Sequence, residues 1–256
     1  MSGMFAPKAP GANWALFLDI DGTLLEHAEH PDAVFVDERL RTLLAELESE
    51  LDGALAFITG RSISAVDRLF KPLRLRAAGL YGLEHRLEMN GPVSAADEPA
   101  DIAALAREIE AELGAAVYIE RKGPILAIHT RAAPHLLPRA TQLVEEALRH
   151  LPGGYRVLAG NAGVELMPLE AAKGAAIRRF MELPAFLGKQ PVFLGDDTSD
   201  EPGFDVVNQM GGLSVRIGPP RQTAAHYALA GVNEALAWLA ASAAQKGDVR
   251  WSNLSA

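Results

Sequence analysis

Apolar and polar positions change their rhythm several times along this chain, and each change marks an element. Leu16, Phe17, Leu18 and Ile20 form an apolar run without alternation, the pattern of a strand buried on both faces. Leu40, Leu43, Leu44, Leu47 and Leu51 then recur at the helical period behind Asp37, a good N-cap. "ALAFITG" (54–60) is a second short strand running into a polar turn, and Ser62 opens a helix carrying Ile63, Val66 and Leu69. "LRAAGL" (75–80) predicts a third strand. Strands alternating with helices imply right-handed crossovers and a parallel sheet covered on both faces.

The middle of the chain has another rhythm. A helix (99–113), a strand (115–120), a turn at "RKGP", a strand (125–131), a helix (135–150) and two strands (155–159 and 163–167) around "NAG" give the order α-β-β-α-β-β. Short turns between strands make antiparallel pairs, so this stretch is a separate α+β module. From about 172 the first rhythm resumes: a helix, the strand "PVFLG" (191–195), a helix, the strand "LSVRIG" (213–218) and a last helix at 232–241, where Trp238 and Leu239 belong to the core. The final dozen residues are polar and expected to fray. The expected fold is α/β, a three-layer Rossmann-like parallel sheet core (1–90 and 170–256) with an inserted α+β domain (91–169).

Composition narrows the function classes. A net charge of −9 over 256 residues disfavours nucleic acid or an anionic membrane as partner. With no cysteine, disulfides, thiolate metal sites and cysteine nucleophiles are excluded. "MSGMFAPKAPGA" has no apolar signal core and no run approaches a membrane span, so a cytoplasmic, monomeric protein is expected.

The chemistry gathers at strand ends. In an open parallel sheet ligands bind beyond the carboxyl edge, where Asp19-Ile20-Asp21-Gly22-Thr23, Thr59-Gly60-Arg61 and Gly195-Asp196-Asp197-Thr198-Ser199-Asp200 all arrive. Five carboxylates cannot all ionise there without a cation, since like charges raise one another's pKa. Oxygen ligands without cysteine or paired histidines point to a hard divalent ion, Mg²⁺ first. Asp19 and Asp21, two apart on an extended segment, can flank one reacting centre. A carboxylate is a competent nucleophile toward phosphorus, and a second can pass a proton to the leaving oxygen. The Thr59 hydroxyl, backbone amides and Lys173-Gly174 at a helix start could neutralise phosphoryl charge. Each signal alone has an ordinary reading: a lone Asp-x-Asp is common, Thr-Gly-Arg is a usual turn, a single lysine usually faces solvent, and "GDDTSD" can simply cap a helix. Arg61 either touches the phosphate region or caps its own turn. His27 and His30 of "EHAEH", three apart with no third ligand, read as an exposed turn, and His135, His150 and His226 as surface residues.

In this chain order, "DIDGT", "TGR", Lys173 and "GDDTSD" resemble the four motifs of the haloacid dehalogenase superfamily of phosphohydrolases, over nearly the whole chain. The resemblance implies Asp19 as nucleophile, Asp21 as general acid/base, and Thr59, Gly60 and Lys173 on the phosphate. It implies Asp19, Asp196 and the backbone carbonyl of Asp21 around Mg²⁺, with Asp197, Asp200 and Arg61 in support, and the insert as a cap.

Specificity must then come from the insert. "YIERKGPILAIHTR" (118–131) places Glu120, Lys122, His129 and Arg131 on a hairpin whose register decides which of them meet. Glu165 lies in a strand leading toward Lys173. Carboxylates and ammonium groups on one face suit a polyhydroxylated ligand; a solvated, ion-paired face is the plain alternative. The hairpin, "VELMP…KG" and "GDDTSDE" together resemble bacterial trehalose-6-phosphate phosphatases. That resemblance implies Glu120, Lys122 and Glu165 on the distal glucose, with His129, Arg131 and Asn161 beside them, and a small-molecule sugar phosphate as substrate. Another sugar phosphate, or a non-catalytic sugar-phosphate sensor, remain alternatives. Tyr81 stands where that family often has histidine, leaving Glu84 and His85 to face the hinge of the insert.

Overall fold

The computed structural model describes residues 13–27, 34–151, 154–160 and 163–243. Asn161, His30 and the polar C-terminal tail lie outside these residues. The chain divides at Val93/Ser94 and Ala171/Ala172 into two compact units.

The first unit holds β1 (Trp14–Leu18), α1 (Glu38–Glu50), β2 (Leu55–Ile58), α2 (Ile63–Phe70), β3 (Arg76–Gly79) and β4 (Glu84–Arg86). After the second unit's elements, β5 to β9 with α3 and α4, it continues with α5 (Lys173–Met181), β10 (Gln190–Gly195), α6 (Glu201–Gln209), β11 (Leu213–Ile217), β12 (Tyr227–Leu229) and α7 (Val232–Ala243). The sheet order is β12-β11-β10-β1-β2-β3-β4-β5, the two-residue β5 (Ser94–Ala95) being where the chain leaves the first unit. β1 lies centrally and is buried throughout, as its unbroken apolar run requires. Leu18 pairs in parallel with Leu194 of β10 and Phe57 of β2, which brings three carboxyl ends level. Asp37 and Ser62 cap α1 and α2 with their side chains. Trp14 stacks on Trp238 of α7 with ring centroids 5.8 Å apart.

The sheet is not parallel throughout. β4 runs antiparallel to β3, Ala77 opposite Arg86. The chain reverses through Leu80 and Tyr81, both at positive φ (49° and 57°). "EHR" has no apolar alternation, which is why the pattern gave no strand there.

The second unit contains α3 (Ala100–Leu113), β6 (Tyr118–Lys122), β7 (Ile125–His129), α4 (Leu137–Leu148), β8 (Tyr155–Gly160) and β9 (Gly163–Pro168). Its antiparallel sheet has the order β6-β7-β9-β8. Ile102, Ile109 and Val144 of the helices form one cluster with Leu126, Ile128, Val164 and Leu166. Alternation turns the intervening residues to the opposite face. β6 starts three residues later than expected because Gly114, at φ 65°, ends α3 and a single tight turn, Gly114–Ala116, follows. β7 stops at His129, so Arg131 falls in a turn rather than on the strand.

Candidate active site

Asp19 directly follows β1, and its backbone N–H donates to the Leu194 carbonyl of β10 at 3.0 Å. Its buried carboxylate lies 2.8 Å from the ammonium of Lys173, the first residue of α5. The same ammonium is 2.6 Å from Asp200 Oδ1. The other Asp200 oxygen accepts the backbone N–H groups of Asp196 and Asp197, each at 2.9 Å. Asp197 and Asp200 form a reciprocal capping box on the turn before α6. A Cβ on Gly195 would collide with the Asp200 carboxyl, so only glycine lets this loop close. Burial pushes the carboxyls of Asp19 and Asp200 up, against the opposing pull of Lys173. Burial alone would lower Lys173, but Asp19 and Asp200 outweigh it and hold the ammonium above its usual range.

Oxygens of Asp19, Asp196 and Asp200 lie within 4.8 Å of one another. One ammonium cannot balance three carboxylates, and Asp196 Oδ1 is buried without a hydrogen-bond partner. An all-oxygen donor set with an orphaned buried oxygen fits a hard divalent cation such as Mg²⁺. Asp200 already has both oxygens engaged, which leaves oxygens of Asp19 and Asp196 to hold such an ion.

Asp21 is gripped from the β2 end. Arg61 Nε donates to its Oδ2 at 2.7 Å and Nη2 to its Oδ1 at 2.6 Å. Thr59, buried, accepts the Arg61 backbone N–H on its hydroxyl oxygen at 3.2 Å. With an acceptor site so used, the Thr59 hydroxyl has its proton to give to an anion. The Tyr81 ring closes over Gly60, and the Tyr81 N–H donates to the Thr59 carbonyl at 3.0 Å. Glu84 accepts the Ile63 N–H at 2.6 Å, at the N-terminus of α2.

His27, set aside by its spacing, places Nε2 3.0 Å from Asp196 Oδ2 while most of its side chain stays exposed. Gly22 at φ 76° permits this, since a Cβ there would strike the Asp196 carboxyl and the His27 ring. Sequence reasoning also passed over Arg221, whose Nη2 donates to the Asp196 carbonyl at 3.1 Å. No local pattern announces either contact, as both join residues far apart in sequence.

In the second unit the register decides the polar face. Glu120 and Glu165 both stand opposite Ala127, from β6 and β9. Lys122 Nζ lies 3.3 Å from Glu120 and 3.2 Å from Glu165, and His129 Nε2 is 3.0 Å from Glu120. Tyr118 stacks on His129 at 5.4 Å. Burial would lower the Lys122 ammonium, yet the two glutamates hold it above its usual range. Burial likewise opposes His129 and Lys122 at Glu120, and those two win, holding its carboxyl below the usual range. Four of the expected sugar residues thus form one network; Arg131 lies in the turn beyond it.

A mostly parallel sheet with an acidic carboxyl edge and an α+β insert is the plan of the haloacid dehalogenase class of phosphatases. A solved phosphatase of that superfamily from Bacteroides thetaiotaomicron superposes with a TM-score of 0.59 at 18% identity, over 93% of this chain and 94% of its own. Within that class the chain belongs to the trehalose-phosphatase family, whose model matches residues 17–233. It is 45% identical to a probable trehalose-phosphate phosphatase of Sinorhizobium fredii over 81% of this chain and 79% of that protein. It is 40% identical to the trehalose-6-phosphate phosphatase of Escherichia coli over 89% and 86% respectively. No helix among the described residues is long and apolar enough to cross a membrane.

Proposed function

We propose that this chain hydrolyses trehalose 6-phosphate to trehalose and inorganic phosphate, the closing step of trehalose formation, through an aspartyl-phosphate intermediate on Asp19. The observation that carries the reading is the buried Asp19–Lys173–Asp200 cluster level with Asp21 and Thr59 at one sheet edge, in a chain 40% identical to a named trehalose-6-phosphate phosphatase. Asp19, a carboxylate held by Lys173, attacks phosphorus as the P–O bond to the sugar breaks. Asp21 gives a proton to the leaving sugar oxygen, then takes one from the water that cleaves the Asp19 ester. Lys173, the Thr59 hydroxyl and the backbone about Gly60 hold the phosphoryl oxygens. Asp19 and Asp196, with the Asp21 carbonyl, would hold Mg²⁺, which when bound would supply positive charge to offset the carboxylates and the substrate's phosphate.

Glu120, Lys122, Glu165 and His129 are the groups of the second unit that accept from and donate to sugar hydroxyls, and in this reading the unit serves as the specificity cap. The substrate in this reading is a free small molecule met by a cytoplasmic monomer, and the acidic net charge disfavours nucleic acid or an anionic membrane as partner. The test is phosphate release from trehalose 6-phosphate with and without Mg²⁺, beside sucrose 6-phosphate, glucosyl- and mannosyl-phosphoglycerates and hexose phosphates. A kcat/KM at least tenfold higher for trehalose 6-phosphate supports the reading; a higher value for any other ester overturns the sugar assignment. Asp19→Asn should abolish release on every ester, and retained turnover would sink the mechanism.

A further inference from the structure

Arg61 and Asp21 stand forty residues apart in the chain, yet they meet through two parallel hydrogen bonds of 2.7 and 2.6 Å. The pair is partly shielded, with side chains 14% and 32% exposed. A partly shielded bidentate pair contributes some stability, but stability alone does not require this geometry. What a two-point grip does supply is orientation. A guanidinium engaged by Nε and Nη2 fixes the plane and the rotation of the carboxyl it holds. Arg61 is itself held at both ends of its peptide: its N–H donates to the Thr59 hydroxyl and its carbonyl accepts from the Leu80 N–H at 3.0 Å. Leu80, at φ 49°, shares the strained reversal after β3 with Tyr81. The carboxyl's direction is therefore set from β2 and β3 rather than from its own segment.

We propose that Arg61 is a positioning residue for Asp21, aiming its carboxyl at the leaving and attacking oxygens. This rests on the assignment of Asp19 and Asp21 above. In the first half-reaction the bond from Asp19 Oδ to phosphorus forms, the bond to the sugar oxygen breaks, and the Asp21 proton passes to that oxygen. In the second a water oxygen bonds to phosphorus, the Asp19 ester breaks, and the water's proton returns to Asp21. Both transfers use the same carboxyl, so one grip serves both. The competing role is direct: a guanidinium has further N–H groups, and Arg61 could bind a phosphoryl oxygen itself.

A double-mutant cycle separates the two roles. Arg61→Ala should lower kcat on trehalose 6-phosphate about a hundredfold, with KM moving less than about threefold. Arg61→Lys should recover little, because one ammonium cannot grip two oxygens, whereas added guanidinium should restore part of the rate to Arg61→Ala. In an Asp21→Asn background, Arg61→Ala should cost less than about twofold more. With 4-nitrophenyl phosphate, whose leaving group needs no proton, the single-turnover rate of nitrophenolate release should fall far less than that of trehalose release, while the shared water step still slows. A rise in KM at constant kcat, an equal single-turnover loss on both esters, or a further tenfold loss in the Asp21→Asn background would overturn the proposal in favour of phosphate binding. Arg61→Gln repeats the cycle if the alanine variant fails to fold by circular dichroism. If Asp21→Asn costs activity and Arg61→Ala does not, only this proposal falls; if Asp21→Asn costs nothing, the acid/base assignment falls with it. Should another sugar phosphate prove the better substrate, the cycle runs on that ester with the same expectations.

Discussion

Two aspartates of one cluster answer to different physics. Asp200 has no choice of role: one oxygen holds the Lys173 ammonium and the other accepts two backbone N–H groups. Asp19 faces the same lysine without those amides, and burial pushes its carboxyl well above its ordinary value of 3.8. Burial pushes Asp200 up as well, but its hydrogen bonds to the lysine and two amides outweigh that when an acceptor oxygen is lost, so the two should respond oppositely when neutralised in the absence of divalent metal. A folded-state pKa raised above the unfolded value means that the native state binds the extra proton. Stability from Asp19 is then fullest below pH 3.8 and declines as pH rises toward its folded value. Asp19→Asn removes that decline, so in EDTA at pH 7 its Tm should exceed that of wild type, by a margin that shrinks on acidification. Asp200→Asn should lower Tm instead, since an amide cannot serve the lysine and both N–H donors as acceptor. Scanning calorimetry in EDTA checks both signs. Equal shifts in one direction would mean that burial, and not hydrogen bonding, governs the whole cluster.

At the scale of elements, the three-stranded face β6-β7-β9 concentrates charge where a sheet would normally be apolar or wet. Lys122 is its keystone, bridging the glutamates that flank Ala127. Lys122→Met should destabilise the protein by about 1–3 kcal/mol at pH 7, less than a fully buried pair would cost because Glu120 is partly exposed. The stabilisation of Glu120, whose folded pKa is depressed, is complete above its ordinary value of 4.5 and is lost as pH falls through the folded value. The cost of Lys122→Met should accordingly hold steady from pH 7 to about 4.5 and shrink as pH falls further, measured by urea unfolding; a cost that grows on acidification would contradict this account. The elements themselves were legible in the sequence: β1, β2 and β10 by unbroken apolar runs, α1 and α2 by caps and period. β4 and β12 were not, for three residues are too few to show a period. The polar types at 120, 122, 129 and 165 could be read from the hairpin, but their meeting depends on register, which alternation alone leaves open. Arg61 showed its place beside the site and not its partner, because strand order, and not spacing, brings β2's turn onto Asp21.

Across the whole molecule the two units have separate interiors. The large cluster around β1, β2 and β10 lies wholly in the first unit, and the cluster of Ile102, Ile109, Leu126 and Val164 wholly in the second. The groups assigned to phosphorus, Asp19, Asp21, Thr59, Lys173 and Asp196, all belong to the first, while those assigned to sugar hydroxyls belong to the second. If chemistry and selection are divided in this way, substitutions should split by substrate as they split by unit. Glu165 belongs to the second unit, where its carboxylate pairs with the Lys122 ammonium at 3.2 Å. Glu165→Ala should reduce kcat/KM for trehalose 6-phosphate by roughly 10- to 100-fold, the loss expected when hydrogen bonds to a bound sugar are left unmade. On 4-nitrophenyl phosphate, which has no hydroxyls for that face, it should stay within about twofold of wild type. Asp19→Asn should remove turnover of both esters, because both pass through the same carboxylate. Steady-state kinetics of the two variants on the two esters give four numbers. An equal loss on both esters by Glu165→Ala would place this residue in the service of the chemistry and end the division between units.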